Sequence, residues 1–396
     1  MRFRTLRDVD VSGKRVIVRE DLNVPLADGH VADDTRIRAA LETLRFLRKQ
    51  GGRIAVLSHL GRPDGKIVPR LSLAPVARDL AALLGTTVEF AADCVGPLAH
   101  EAVSGLGDGD IVILENVRFH PEEERNDPDF ARALASLGEL YVDDAFGTAH
   151  RAHASTEGIA HLLPSVAGFL MQRELDALAA LTTNPRRPFV CAIGGAKVKD
   201  KVGVFTQLLQ RVSAFVVGGG MANTFLAAQG IDVGRSLRDD DLEPARGILQ
   251  DAQRRSVPLH LPSDAVVAPS FNDDEAPQTV PIADVGTQMI LDIGPRTADA
   301  YAAVLRDAKT IVFNGPMGVY EKPAYRNGTR VVGEAIAEAT RHGATSVVGG
   351  GDAAAAAHML GFAEAMTHVS TGGGATLEFL EGRTLPGVAA LEASAT

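Results

Sequence analysis

Short β-branched runs alternate with helix-period segments along the whole chain, and that alternation leaves few folds open. Residues 15–21, 53–58, 110–114 and 140–145 read as strands in the first half. Residues 189–193, 214–217, 310–313, 346–348 and 367–370 read as strands in the second. Between the first two, the segment 34–50 carries Ile37, Ala40, Leu41, Leu44 and Leu47 at three- and four-residue steps, the spacing of one helix face. Gly51-Gly52 stops that helix, and Gly85 stops a second one over 72–84. Further helices are predicted over 199–210, 221–229, 329–341 and 353–360. Strands and helices in this order demand parallel sheets covered on both faces. The chain has 396 residues, more than one core of roughly 100–200 residues takes up. The predicted fold class is therefore α/β, with two doubly wound parallel-sheet (Rossmann-like) domains. A long apolar helix over 168–181, followed by the proline-flanked stretch 182–188, reads as the connector. The domains are set at 1–170 and 171–383, the connector helix counted with the second.

Charge and cysteine usage narrow the function classes. The net charge of −10 disfavours nucleic acid or an anionic membrane as a bulk electrostatic partner, so any anion site must be a local basic cluster. Cys94 and Cys191 sit in apolar runs without a CxxC neighbour, against a disulfide framework or a thiolate metal site. The start lacks the apolar core of a signal peptide, and no run of ~18 apolar residues occurs. A cytoplasmic protein without membrane attachment is expected.

In doubly wound sheets, ligands bind beyond the carboxyl ends of the strands. Four predicted strand ends in the first half carry the same chemistry: Arg19 to Asn23, Ser58 to Arg62, Glu115 to His120, and Gly147 to His153. Arg36 opens the first helix. Arginines at such ends offer permanent, bidentate charge to phosphate or carboxylate, and Asp21 and Asn23 suit hydroxyl groups on the same small polyanion. A surface salt-bridge network is the competing reading. His120 and His161 lack this context and read as structural.

The second half carries glycine runs at its strand ends: Gly194-Gly195, Gly218 to Gly220, Gly349 to Gly351 and Gly372 to Gly374. Glycine lets backbone approach a phosphate and aims amides at it, and a following helix start adds partial positive charge. No GxxxxGK[ST] loop occurs, and no GxGxxG with a following acid, so neither a P-loop NTPase nor an ordinary Rossmann dehydrogenase is indicated. Lys197 and Lys201, four apart, are expected on one helix face, reaching phosphates together. Asp352 after its glycine turn suits a Mg²⁺ bound largely through nucleotide phosphates and water, or else a helix cap. The strand end at Asn314 leads to Glu321, a carboxylate placed to hold ribose hydroxyls.

Segments 19–25, 58–63, 114–124, 145–155, 194–201, 218–222, 312–321, 349–352 and 370–375, in that order, resemble the phosphoglycerate kinase family over essentially the whole chain. The resemblance implies that Asp21, Asn23, Arg36, His59, Arg62, Arg118 and Arg151 bind 3-phosphoglycerate or 1,3-bisphosphoglycerate. It implies that Lys197 and Lys201 contact the phosphates of ATP or ADP, that Glu321 holds the ribose, and that Asp352 is associated with Mg²⁺. Gly195, Gly219, Gly220, Gly294, Asn314, Gly350, Gly351 and Ala353 fall at the nucleotide pocket. It also implies that the stretch from about 384 to 396 returns to the first domain, that the connector acts as a hinge, and that the protein is a monomer. One departure is Glu20, where the family usually has a small or apolar residue; altered local packing is expected there, with activity kept.

A carboxylate with a pKa near ~4 is ionised at neutral pH, so its attack on a γ-phosphate needs no general base. Catalysis then rests on in-line positioning and charge neutralisation, expected here from Arg36, Lys197 and the amides of Gly372 and Gly373. The alternatives are a two-domain nicotinamide-dependent dehydrogenase, which lacks its fingerprint, and a non-catalytic anion-binding protein, which leaves Lys197, Lys201, Glu321 and Asp352 without a purpose.

Overall fold

The computed structural model describes residues 2–272 and 277–395. These form two compact units, Met1–Asp176 with Thr384–Thr396, and Ala177–Arg383.

The first unit contains β1 (Arg15–Arg19), the hairpin β2 (Leu26–Ala27) and β3 (His30–Val31), α1 (Thr35–Lys49), β4 (Arg53–Leu57), α2 (Ala74–Leu84), β5 (Glu89–Ala91), α3 (Gly96–Ser104), β6 (Ile111–Leu114), α4 (Pro128–Ala135), β7 (Leu140–Asp143) and β8 (Ser165–Ala167). Its sheet runs β5-β6-β4-β1-β7-β8, all parallel. Successive residues face opposite sides, so each strand feeds two cores. Val16, Val18, Ile54 and Val56 join α1 and α2 on one face, whereas Ile17, Ala55, Leu57 and Tyr141 join α3 and α4 on the other. That is why these strands read as unbroken apolar runs. The chain leaves β1 towards β4 and comes back on the other side as β7, so the switch point lies between β1 and β7.

Helix α5 (Phe169–Thr182) contains the break between the units. The second unit follows with β9 (Phe189–Ile193), α6 (Val202–Leu208), β10 (Ala214–Val217), α7 (Gly219–Ala228), α8 (Glu243–Arg254), β11 (Leu259–His260), β12 (Asp264–Ala268), β13 (Gln278–Pro281), β14 (Met289–Ile293), α9 (Pro295–Arg306), β15 (Thr310–Asn314), α10 (Asn327–Arg341), β16 (Thr345–Val348), α11 (Gly351–Met359), β17 (His368–Val369) and α12 (Gly374–Leu380). The main sheet is parallel, β11-β10-β9-β15-β16-β17, with its switch point between β9 and β15. A smaller antiparallel sheet, β13-β12-β14, is added to it.

The last helix, α13 (Pro386–Ala393), belongs to the first unit. Gly387 N donates to Ala149 O at 2.9 Å, and Ala390 enters the core shared by β6 and β7. Both cysteines are free and buried. Among the described residues, no helix is long and apolar enough to cross a membrane.

Three expectations need correction. Strands β1 and β7 each stop two residues early, at Arg19 and Asp143, β1 because its partner β4 stops at Leu57 and β7 because its partner β1 stops at Arg19; Glu20 makes the last contact with β4, its amide on Leu57 O at 3.0 Å. The helix expected over 199–210 starts with a 3-10 turn, Lys199–Lys201, and becomes α-helical only at Val202. Lys197 therefore lies in the preceding loop, and it shares no helix face with Lys201.

Candidate active site

In the first unit, the strand ends beside the switch point converge on a cationic pocket. Asp21 pairs with Arg36 in the first turn of α1. The loop between them is fixed by Ser58, which accepts the Leu22 amide at 2.9 Å and donates to Glu20 O at 2.8 Å. Asn23 Oδ1 accepts the Gly61 amide at 2.9 Å, tying the β1 loop to the β4 loop. Arg118 is buried in the 3-10 turn after β6, donates to Gly61 O at 2.8 Å and lies 3.1 Å from Glu124. Arg151 is half-buried and Arg62 exposed.

The electrostatics show how tightly these cations are gathered. Burial first, then the charges of Arg19, Arg118, Arg36 and Arg151, push the His59 imidazole well below its ordinary range. Burial and Arg151 bring even the Arg118 guanidinium down to about 10. Of these cations, Arg36, Arg118 and Arg151 gather positive charge suited to a small, multiply charged anion. Arg118 is buried, and it and Arg36 each have one carboxylate partner, Glu124 and Asp21.

Glu20 is fully buried, and neither carboxylate oxygen has a hydrogen-bond partner. Burial, then Asp144, raises its carboxyl well above the usual range. Burial likewise raises Asp143 to about 7 and Asp144 to about 6. Asp144 accepts the Met171 amide at 2.9 Å in the first turn of α5. Glu20, Asp143 and Asp144 thus form a cluster of buried acids at these strand ends.

In the second unit, Lys201 occupies the switch point itself. Its ammonium donates to Gly194 O and Asn314 O, both at 2.7 Å, bridging the ends of β9 and β15. Burial pushes it down to about 8. An ammonium has three protons, so one remains for a ligand. A cavity of about 200 Å³ opens there, lined by Lys197, Lys201, Asn314, Gly350, Asp352 and Ala353 among others. Gly350 caps α11 at φ +99°, a conformation that favours glycine, and a side chain on Gly351 would meet open space. Asp352 lies in the first turn of α11 and makes no cap hydrogen bond, so the helix-cap alternative is not realised.

A second cavity of about 500 Å³ shares Gly195, Ala196 and Asp352 with the first. Its walls are largely apolar, with Leu237, Met289, Leu291 and Val319, and Glu321 stands at its rim. A polar recess beside an apolar slot has the shape of a nucleotide site. The walls from β14 and from Leu237 and Phe271 were missed in the sequence, since no motif marks them.

The glycines separate into different roles. A side chain on Gly219 or Gly220 would come within 2.8 or 2.5 Å of the carbonyl oxygens of Gly195 and Ala196. These two glycines therefore let the two loops pack backbone to backbone, and they line the larger cavity as a result. Gly294 lines neither cavity; it caps α9, and its missing side chain makes room for Asp264. The Gly372 amide donates to Ser370 Oγ at 3.1 Å, which leaves Gly373 and Gly374 as the amides at the head of α12.

The family model described as phosphoglycerate kinase matches residues 6–383. The chain is 53% identical over 393 residues to the phosphoglycerate kinase of Pelotomaculum thermopropionicum, with 99% of each chain covered. It is 52% identical to that of Chloroflexus aurantiacus over 397 residues, again with 99% of each covered. Among solved structures, phosphoglycerate kinase from Coxiella burnetii superposes with a TM-score of 0.92 at 40% identity, covering all of both chains. The enzyme from Pyrococcus horikoshii gives 0.86 at 34% identity over 99% of each.

Proposed function

Since the chain belongs to the phosphoglycerate kinase family and carries out its reversible phosphoryl transfer between 1,3-bisphosphoglycerate plus ADP and 3-phosphoglycerate plus ATP, we propose that its first unit holds the phosphoglycerate and its second the nucleotide. The observation that carries this assignment is the contrast between the two switch points. One is ringed by Arg36, Arg118 and Arg151 around His59; the other has a single bridging lysine beside a recess and an apolar slot.

In this reading Arg36, Arg62, Arg118 and Arg151 neutralise the phosphate and carboxylate of the phosphoglycerate, and His59 donates to it. Asp21 orients the Arg36 fork, while Asn23 holds the loop that faces the hydroxyl. Lys201 and Lys197 meet the nucleotide phosphates beside Gly195, Gly350, Gly351 and Ala353. The base lies in the apolar slot floored by Gly219 and Gly220, and Glu321 takes the ribose. Gly294 acts only through the shape of the wall behind the slot.

The donors beside the recess fit Mg²⁺. Asp352 offers one hard oxygen, too few for an all-protein cage, as befits an ion that keeps waters and phosphate oxygens. Bound Mg²⁺ would supply neutralisation of phosphate charge. The residues do the rest. No side chain needs to take a proton, because the attacking carboxylate is already ionised. Arg36, Lys197 and the Gly373 amide neutralise the transferring group as charge builds on its oxygens. Reacting atoms must come within ~3–3.5 Å, so the reading includes closure of the two units about the α5 connector, which also excludes water. The working form is taken to be a cytoplasmic monomer.

Two variants test the division of labour. Arg118→Ala should raise KM for 3-phosphoglycerate while leaving ADP affinity in place, and Lys201→Met should do the reverse. Coupled loss of both affinities in either variant would refute separate binding units.

A further inference from the structure

Arg19 ends β1 almost fully buried, and the site as described gives it no ligand to hold. Its Nε donates to Ser155 Oγ at 2.8 Å. Ser155, in the π-turn Ala154–Gly158, donates its hydroxyl to Glu123 Oε1 at 2.6 Å and its amide to Glu123 Oε2 at 2.9 Å. A serine hydroxyl has one proton. Here it goes to Glu123, and the lone pair accepts from Arg19. Arg19 Nη1 donates to the Glu20 carbonyl. The guanidinium is thus clamped on two sides, and its Nη2 lies 3.2 Å from His59 Nδ1.

That contact has one possible polarity. A guanidinium carries only donors, so His59 Nδ1 must be the acceptor. A neutral imidazole with its lone pair on Nδ1 carries its proton on Nε2. Nε2 bonds to no described residue and is not among the sealed polar atoms, so it is free to meet a ligand.

We infer that Arg19 is a positioning residue that locks His59 in its neutral Nε2–H form, so that the phosphoglycerate pocket presents an uncharged donor there and leaves the charge to the arginines. The inference rests on the assignment of His59 to that pocket. The surroundings are consistent with the lock. Arg36, Arg118 and Arg151 all disfavour a second proton on His59. Behind Arg19, burial raises the Glu123 carboxyl and brings His153 down to about 3. Asp143 and Asp144, raised by burial to about 7 and about 6, are the neighbours of Arg19 that titrate closest to neutrality.

The test is a two-bond ¹⁵N–¹H correlation spectrum of the histidine-labelled full chain between pH 5.5 and 8.5. His59 is assigned by the signal lost in His59→Gln. The inference expects an unprotonated Nδ1, a protonated Nε2 and no titration. In Arg19→Met the ring should titrate or show both tautomers, and Arg19→Lys, which keeps a donor, should restore Nε2–H. Kinetically, the ratio of the Arg19→Met KM for 3-phosphoglycerate to the wild-type KM should fall about tenfold from pH 8 to pH 6, as a cationic ring replaces the missing charge. The kcat ratio should not follow it. Taking the ratio cancels the titration of the substrate phosphate, and repeating it in an Asp143→Asn background removes that of Asp143, which Arg19 itself lowers.

A wild-type ring that carries its proton on Nδ1, or that titrates in this window, overturns the inference. So does an Arg19→Met spectrum with an unchanged tautomer, which is what a merely structural arginine would give. Should Arg19→Met fail to fold, the wild-type spectrum alone decides. Should His59→Gln bind 3-phosphoglycerate as wild type does, the pocket assignment fails while the spectra still decide the lock.

Discussion

Lys201 should make nucleotide affinity fall steeply in mildly alkaline solution. Its ammonium is buried at the switch point, donates to two backbone carbonyls at 2.7 Å, and lines the smaller cavity proposed to take the nucleotide phosphates. Burial depresses it to about 8, against ~10.4 for a free lysine. At pH 7 about nine-tenths of the free enzyme carries the charge, and at pH 9 about a tenth does. Nucleotide that requires the charged form should therefore bind about tenfold more weakly at pH 9 than at pH 7, with a limiting slope of one proton. The assay is equilibrium ADP binding from pH 7 to 9.5, by calorimetry or fluorescence, in the wild type and in Lys201→Met. The variant should bind weakly and without this slope. Wild-type affinity that stays level to pH 9.5, or a variant that keeps the slope, would refute the role given to Lys201.

Other expectations follow from the same geometry. Glu20→Leu should stabilise the protein by about 2 kcal/mol at pH 8, since it removes a buried carboxyl without a partner. The folded carboxyl titrates above the unfolded one, so the folded chain holds the extra proton and stability is lost as pH rises from ~4.3. The gain from Glu20→Leu should accordingly shrink at pH 5, which urea titrations at both pH values would reveal. Arg36→Ala should lower kcat by a factor of about 100, some 3 kcal/mol of barrier, because it removes charge from the transferring group; a near-normal kcat would remove Arg36 from that role. Small-angle scattering should show the radius of gyration falling further with both ligands bound than with either alone, and no contraction in the ternary complex would count against closure.

Much of the fold was legible because parallel strands are buried on both faces and so appear as apolar runs. Strands β9 and β10 occupy the predicted residues, and β4, β6, β15 and β16 do so to within a residue at either end. What escaped were elements without that signature. The edge strand β5 is largely exposed, and β13 is polar and exposed, so neither has an apolar run to detect. Helix α8 (Glu243–Arg254) is amphipathic, but it stands outside the strand-helix rhythm that organised the reading. The site divides in the same way. Arginines and the lysine at strand ends were visible because their chemistry has few other uses in such number. The apolar slot was not visible, because Leu237, Met289 and Leu291 resemble any core residue until distant segments meet. Spacing also misled at Lys197. A four-residue step implies a shared face only where the chain is helical, and there it is a loop held by Asp239, which accepts the Val198 amide at 2.8 Å.

Buried hydrogen bonds explain another part of what the sequence concealed. Arg19 and Glu20 are adjacent in a strand end, yet the side chain of one is held by three partners and the other has none on its carboxylate. Asn314 donates its amide to Gly349 O at 2.7 Å while its Oδ1 has no partner, a division that its place in the sequence does not reveal.

The transfer itself is tested by ADP formation from ATP and Mg²⁺ with and without 3-phosphoglycerate, the product being trapped with hydroxylamine as an acyl derivative. The account predicts ADP formation that depends on 3-phosphoglycerate, with one trapped acyl group for each ADP released. ADP formed equally well without the acceptor, or formed with no trapped product, would contradict transfer to a carboxylate.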